Sequence, residues 1–549
     1  MGFKEYNGLN LVDLSAEVLQ KWKSGDTFGK ALELREGCPE FVFFEGPPSA
    51  NGRPGIHHVM ARSIKDSICR YKTQTGFKVR RRAGWDTHGL PVELGVEKKL
   101  GITKEDIGSK ISVEEYNAAC RKEVMKYTAE WESLTDRIGY WVDMKDPYIT
   151  YDNRYIETLW FLLKDIYEKG LLYKGYSIQP YSPAAGTGLS THELNQPGCY
   201  RDVKDTTCTA QFILSGTGAN TSSAVAEALR LAENAGLPVH FLAWTTTPWT
   251  LPSNTALCVG PNIDYVMVKA TNPYSGVPSA YILAKARLEA VFAKTEYEVF
   301  PCEFKGSELV GLEYRQLIPW FNPGEGAFRV IPGDYVTTED GTGIVHIAPT
   351  FGADDNKVAK AAGVPPLQVL DRNGEKQAQV DRQGRFYRIE DLDVDWCAAN
   401  MSPNYAQWAG RYVKNAYDDS LPADAPTLDV DICVMLKGQG KAFKIEKHTH
   451  TYPHCWRTDK PVLYYPLDSW FIRTTAVREK MMQLNDSIDW RPEATGTGRF
   501  GKWLENIQDW NLSRSRYWGT PLPIWRSEDG KAEKCIGSLV ELYREIEKA

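Results

Sequence analysis

Four stretches of this 549-residue chain hold side chains whose types and spacing could do chemistry. The first is the loop Glu45-Gly-Pro-Pro-Ser-Ala-Asn-Gly-Arg-Pro-Gly-Ile-His-His58. A glycine-bearing turn between an apolar strand and a helix aims backbone N–H groups and the helix N-terminus at a ligand, which favours phosphate. His57 and His58 at the helix start add donors that can follow charge developing on a phosphate oxygen. An adjacent histidine pair alone reads as an incidental surface feature; the strand before it and the Pro-Pro-x-Ala-Asn-Gly lead-in point to a site. The second is Asp86, just after a second strand, where open α/β sheets bind ligands and where a carboxylate suits an ammonium; read alone, it is more readily the N-cap of the following helix. The third is Thr245-Thr-Thr-Pro-Trp-Thr-Leu-Pro-Ser-Asn254, five hydroxyls and an amide that can bind a sugar or water. Threonine also suits a strand edge, but two prolines and a tryptophan so close argue against a plain strand. The fourth is Gly341-Thr-Gly-Ile-Val-His-Ile-Ala-Pro-Thr-Phe-Gly-Ala-Asp-Asp355, an apolar strand ending in His346 and turning to paired carboxylates. His346 alone would be a structural histidine; Asp354 and Asp355 downstream make it a candidate site.

Two further clusters carry less. Lys78-Val-Arg-Arg-Arg82 reads as a solvated strand end. His448, His450, His454 and Cys455 match a metal-ligand spacing only loosely, with no second cluster, and read as structural.

The elements that must position these residues follow from apolar periodicity. Val18, Leu19 and Trp22 share a helical face. Phe41–Phe44 is wholly apolar, as in a strand buried on both faces of a parallel sheet. Met60, Ile64 and Ile68 recur at spacing four after the loop, and a second strand near Phe77–Arg81 feeds Gly84–Pro91. A helix over Asn153–Lys169 places Ile156, Leu159, Leu163 and Ile166 together. Strand, glycine-rich loop and helix in that order open a doubly wound sheet. From about Tyr200 the texture is strand- and turn-rich, as in Ala280–Ala284 and Gly343–Ile347, and reads as an inserted β-rich domain. It returns to α/β near Pro461. No internal repeat or low-complexity tract is evident.

Composition bounds the rest. The chain is 25% charged and 42% hydrophobic, an ordinary globular mixture of length for three or four domains. No apolar run approaches the roughly 20 residues of a membrane span, and the first residues lack the apolar stretch of a secretion signal. A net charge of −6 excludes indiscriminate coating of nucleic acid. Eleven cysteines without a C-x-x-C pair argue against a disulfide framework or zinc ribbon and fit a reducing cytoplasm.

Together the motifs resemble the class I aminoacyl-tRNA synthetases, and the isoleucyl-tRNA synthetases in particular. The resemblance rests on Glu45–Gly52, Gly84-Trp-Asp-Thr-His-Gly-Leu-Pro91, Trp244-Thr-Thr-Thr-Pro-Trp-Thr-Leu-Pro252, His454-Cys-Trp-Arg457 and Ser513-Arg-Ser-Arg-Tyr-Trp-Gly519, and runs essentially the whole chain. It implies an α/β fold, a Rossmann-type doubly wound parallel sheet interrupted by a large β-rich editing insertion. The implied organisation is a helical extension at 1–40, a first Rossmann half with the start of the connective insertion at 41–199, an editing domain at 200–420, a return connection at 421–460 and an incomplete second half at 461–549. The implied activity is ATP-dependent activation of L-isoleucine, with Mg²⁺, and its transfer to tRNA(Ile), in a cytoplasmic monomer with no membrane role. Asp86 would hold the substrate ammonium; Pro47 and Trp518, with backbone near Gly46, would line the side-chain pocket; Gly55, Ile56, His57 and His58 would cradle ATP. Thr245, Thr246, Thr247, Asn254, His346 and Asp355 would form the pocket that hydrolyses mischarged valine, Asp355 binding its ammonium. One methylene is worth only about 1–3 kcal/mol in an apolar pocket, the isoleucine–valine pair being the standard instance of that limit, so a second site is needed. The competing readings are a valyl or leucyl enzyme, an editing-only deacylase, and a tRNA-binding relic.

Three departures from the family pattern stand out. The family's His-x-Gly-His becomes Gly55-Ile-His-His58, which with its lead-in resembles the eukaryote-like second bacterial type, associated with insensitivity to the adenylate mimic mupirocin. The places of the family's zinc-binding pairs read Pro180-Tyr-Ser-Pro-Ala184 and Cys455-Trp-Arg-Thr458, so no zinc is expected. The Lys-Met-Ser-Lys-Ser signature is missing, the nearest string being Gly108-Ser-Lys-Ile-Ser112, so the chain is expected to be the N-terminal part of a longer enzyme.

Overall fold

The computed structural model describes residues 8–43, 45–217, 221–422 and 425–548. It contains two compact units. One comprises residues 1–173, 472–510 and 516–549, the other residues 174–471 and 511–515. The divisions fall at 173/174, 471/472, 510/511 and 515/516.

In the first unit, strand Arg82–Trp85 pairs in parallel with Asp143–Ile149, Gly84 opposite Tyr148 and Trp85 opposite Ile149. Helices Leu90–Leu100, Val113–Val124 and Thr128–Arg137 make the crossover that a parallel pair requires. Ser112 starts the second of these with a capping box, its hydroxyl accepting from the Glu115 N–H while Glu115 reaches back to the Ser112 N–H. Residues 41–43 form no strand, contrary to expectation, and Phe44 lies outside the described residues. The segment makes one parallel bridge, Glu40 to Lys78, with the Phe41 N–H on the Lys78 carbonyl at 2.9 Å. Pro39, Pro47 and Pro48 bracket it, and a ladder cannot continue through residues without an N–H. The second expected strand likewise starts later, at Arg82.

Helix Ile56–Gln74 has the expected period, yet Met60, Ile64 and Ile68 are 64%, 59% and 50% exposed. Its buried positions are Arg62 and Cys69. The Arg62 guanidinium lies over the Trp131 and Tyr140 rings at 4.9 and 5.6 Å. The basic run is also more buried than a solvated strand end. Arg81 pairs with Asp66 at 2.8 Å, and Lys78 with Glu36 at 2.5 Å.

The second unit is built on a ten-stranded sheet. Six of its strands close on themselves: Tyr200–Gly216, Val239–Thr245, Ile344–Ile347, Ala256–Val259, Arg329–Pro332 and Glu313–Tyr314, the last pairing back to the first. Closure leaves these strands no free edge. Phe212, Phe241, Leu257, Val259, Tyr314, Val330 and Ile344 fill the core. Strand Ala442–Pro453 extends the ring by pairing antiparallel with Tyr200–Gly216 over its whole length. Residues 442–453, within the segment expected as a return connection, thus belong to this sheet.

Candidate functional site

Val239–Thr245 and Ile344–Ile347 are neighbouring parallel strands, Trp244 opposite Val345. Both end at the same edge. The chain leaves one as Thr246-Thr-Pro and the other as Ala348-Pro-Thr, and the two exits diverge around a crevice of about 340 Å³. Thr245, Thr246, Thr247, Thr250, His346, Phe351 and Asp355 line it.

His346 is buried and held in one tautomer. The Tyr314 hydroxyl donates to Asn254 Oδ1 at 2.7 Å, and Asn254 Nδ2 donates to the Ala256 carbonyl at 2.8 Å. That fixes the amide so that Nδ2 faces His346 Nδ1, at 3.4 Å. An amide nitrogen only donates, so Nδ1 accepts and the ring proton sits on Nε2. From there it goes to Thr250 Oγ1 at 2.9 Å, and the Thr250 hydroxyl passes its own proton to the Thr247 carbonyl at 2.8 Å. Burial pushes the ring down to about 4, so it stays neutral at physiological pH. Asn254, expected among the pocket residues, is not among those lining the crevice and stands against His346 instead.

Asp355 sits in the first turn of helix Ala353–Ala361 with its Oδ2 accepting from the Ala348 N–H at 2.8 Å. A Cβ at Gly352 would lie 2.6 Å from its Cγ, so the carboxyl needs glycine there. Burial pushes Asp355 up to about 7, with the Ala348 N–H pulling the other way and Asp354 adding to the rise. A cation arriving beside it would restore its charge, which makes Asp355 a latent ammonium acceptor.

In the first unit, Asp86 lies beside the Pro48–Ala50 segment: its N–H donates to the Pro48 carbonyl at 3.0 Å and its carbonyl accepts from Ala50 at 3.3 Å. It is not an N-cap, since helix Leu90–Leu100 starts from Gly89. Burial raises its carboxyl, and the His88 N–H lowers it. Trp518 is buried close by, its indole donating to the Thr87 carbonyl at 2.6 Å and its ring edge-on to His88 at 5.5 Å. His88 is pushed down to about 4 by burial and then by Arg121. Glu93 accepts from the Tyr517 and Trp518 N–H groups, both at 3.0 Å, and from Arg516 at 2.8 Å; Arg516 also pairs with Glu97. Glu93 and Glu97 lie outside the motifs read from the sequence, and Arg516 stands within Ser513–Gly519, where spacing alone gives it no partner.

Gly55 caps helix Ile56–Gln74, its N–H donating to His58 Nδ1 at 2.9 Å. His58 packs edge-on to Trp131 at 4.6 Å and is held below its ordinary value by burial, then by His57 and Arg62. Ile56 and His57 are exposed, as is Gly46, with Pro47 half-buried. Cys455 packs with Leu189, Leu194 and Val462. His450 meets Asp205 at 3.2 Å and His454 meets the Tyr452 carbonyl at 3.0 Å, while the His448 ring lies edge-on to Trp244 at 5.3 Å.

Over residues 17–549 the chain matches the family described as tRNA synthetases class I (I, L, M and V). It is 65% identical over 563 residues to the isoleucine–tRNA ligase of Bacteroides fragilis, an alignment that covers 100% of this chain and 48% of that protein. With the isoleucine–tRNA ligase of Porphyromonas gingivalis it shares 65% over 564 residues, covering 100% and 48%. With that of Clostridium tetani it shares 44% over 541 residues, covering 98% and 46%. The chain spans about half the length of the curated relatives it matches.

Proposed function

The chain belongs to the class I tRNA synthetases (I, L, M and V), and from that premise we propose that the protein activates L-isoleucine with ATP, attaches it to tRNA(Ile), and hydrolyses valine mischarged onto that tRNA in the crevice beside Asp355. The observation that carries the reading is the meeting of Thr245–Thr247, neutral His346 and Asp355 around one crevice of about 340 Å³. Asp355 takes the ammonium of the misattached amino acid. Hydroxyls of the threonine run hold the terminal ribose and the attacking water. Both nitrogens of His346 are engaged, so the ring fixes Thr250 and takes up no proton.

For activation, Asp86 holds the amino acid's ammonium, and Trp518 with Pro47 and the backbone near Gly46 shapes the side-chain pocket. Gly55–His58 meets the nucleotide, where positioning and charge stabilisation carry attack on the α-phosphate. Mg²⁺ arrives on the ATP phosphates; among the described residues no group of three or more His, Cys, Asp or Glu could hold a metal. No described helix is long and apolar enough to cross a membrane, and we place the protein in the cytoplasm as a monomer. The protein is insensitive to mupirocin in this reading, and the exchanged order Gly55-Ile-His-His58 contributes to it.

The test has two arms. Amino-acid-dependent pyrophosphate exchange on the full-length protein should be driven by isoleucine far better than by valine or leucine; a preference for valine or leucine overturns the substrate assignment. Val-tRNA(Ile) hydrolysis should be lost in Asp355→Ala while isoleucine activation persists. Hydrolysis without exchange would instead identify a deacylase.

A further inference from the structure

The short helix Pro248–Ser253, which carries Thr250, begins without a cap of its own. The Thr247 side chain makes no capping bond, and Pro248 has no N–H. The next donor, the Trp249 N–H, is buried and would be orphaned there. Its acceptor comes from 180 residues away: Asp429 Oδ1, at 2.9 Å, from helix Leu428–Gly438. Asp429 is itself buried. Its other oxygen lies 3.7 Å from the Lys414 ammonium, whose side chain is only 11% exposed. Lys414 also pairs with Asp205 at 3.0 Å and lies over the Tyr452 ring at 4.9 Å.

We propose that Asp429, neutralised by Lys414, is a positioning residue for ester hydrolysis in the threonine crevice. The proposal rests on the reading of that crevice given above. Asp429 touches no substrate. It holds the Trp249 N–H, and two consequences follow from that one bond. Thr250, the next residue, is set where it accepts from His346. The Trp249 ring is set edge-on to Phe351, 5.0 Å away, which lines the crevice. A carboxylate is a stronger acceptor than a neutral group, and Lys414 offsets the penalty of burying it.

Two variants separate positioning from bulk stability. Asp429→Asn keeps an acceptor oxygen. Lys414→Met with Asp429→Leu removes the pair as a whole and leaves Asp205 with His450, 3.2 Å away, as its remaining partner. In the full-length protein, Asp429→Asn should hydrolyse Val-tRNA(Ile) within about threefold of the parent. The pair-removed variant should lose about tenfold or more in kcat with little change in KM, the worth of one bond to a charged group. Its Trp249 amide, left without an acceptor, should exchange with deuterium faster than amides elsewhere in the same unit, by more than any fall in the unfolding midpoint accounts for. Wild-type hydrolysis in the pair-removed variant overturns the proposal. A slow Asp429→Asn variant whose Trp249 amide stays protected also overturns it, and serves should the pair-removed variant not fold. If the parent itself hydrolyses no mischarged tRNA, the reading of the crevice fails instead; exchange at Trp249 needs no substrate and still decides whether Asp429 holds the turn.

Discussion

Replacing Asp355 by Asn should stabilise the folded chain above neutral pH while abolishing hydrolysis. The carboxyl has an ordinary value of 3.8 and is pushed up to about 7. Its proton is therefore held more tightly in the folded chain, by about 4 kcal/mol at full weight. The sign follows from proton counting. Below pH 3.8 both folded and unfolded chains carry the proton and nothing is lost. Between 3.8 and about 7 the unfolded chain has released it and the folded chain has not, so stability falls as pH rises. Above about 7 the loss is complete. Asp355 keeps part of its surface at the crevice mouth, where water screens the penalty, so about 2 kcal/mol is the expected size. Asn keeps an oxygen for the Ala348 N–H and carries no charge at any pH. Urea unfolding of the two proteins at pH 4, 6 and 8 should show midpoints that coincide at pH 4 and diverge toward pH 8, with Asn the more stable. A constant offset across that range, or a less stable Asn variant at pH 8, would refute the assignment of burial as the dominant cause. The crevice then holds a carboxylate against its own stability, as a site built to receive a cation should.

Other expectations come from the same contacts. Tyr314→Phe leaves the Asn254 oxygen buried and unpaired and should cost about 1–3 kcal/mol in urea unfolding; hydrolysis should fall several-fold as His346 loses its fixed tautomer, and an unchanged rate would free His346 from that chain. The His346 ring should show no titration between pH 5 and 8 when its carbon-bound protons are followed by NMR, since it is pushed down to about 4; a step near pH 6.5 in those signals would contradict it. Arg516→Met leaves Glu93 and Glu97 buried and uncompensated and should destabilise by about 3–5 kcal/mol, with loss of isoleucine activation as Trp518 shifts, read by unfolding and pyrophosphate exchange together. Gly55→His should be accommodated by the exposed His57 ring, which its Cβ would meet at 2.9 Å, swinging aside; adding His57→Gly removes that ring, so the double variant should fold, and unchanged mupirocin inhibition in it would remove the exchanged order from the explanation.

The threonine run, His346 and Asp355 were legible in the chain because each lies next to a strand whose apolar pattern announces it. Local spacing could say that a strand ends there, and the resemblance could say what the family does with such residues. Helical periods at Met60, Ile64 and Ile68 were equally legible. Which face is covered was not, since the period fixes which side chains align and leaves open what lies against them. Over residues 41–43 no strand forms, for a local reason the sequence did contain: prolines on both sides remove the donors a ladder needs.

Tertiary structure alone decided the supporting shell. Tyr314 is 60 residues from Asn254, and Asp429 is 180 from Trp249; no periodicity relates them, and each reads in sequence as an ordinary buried or helical residue. The parallel pairing of Val239–Thr245 with Ile344–Ile347 likewise joins two segments a hundred residues apart, and it makes the crevice. Residue type sets what a side chain can donate, accept or repel, and that much is written in the chain. Whether a carboxylate such as Asp355 is neutral or a histidine such as His346 keeps its proton depends on burial and on partners within about 3 Å, which exist only once the ring of strands has closed.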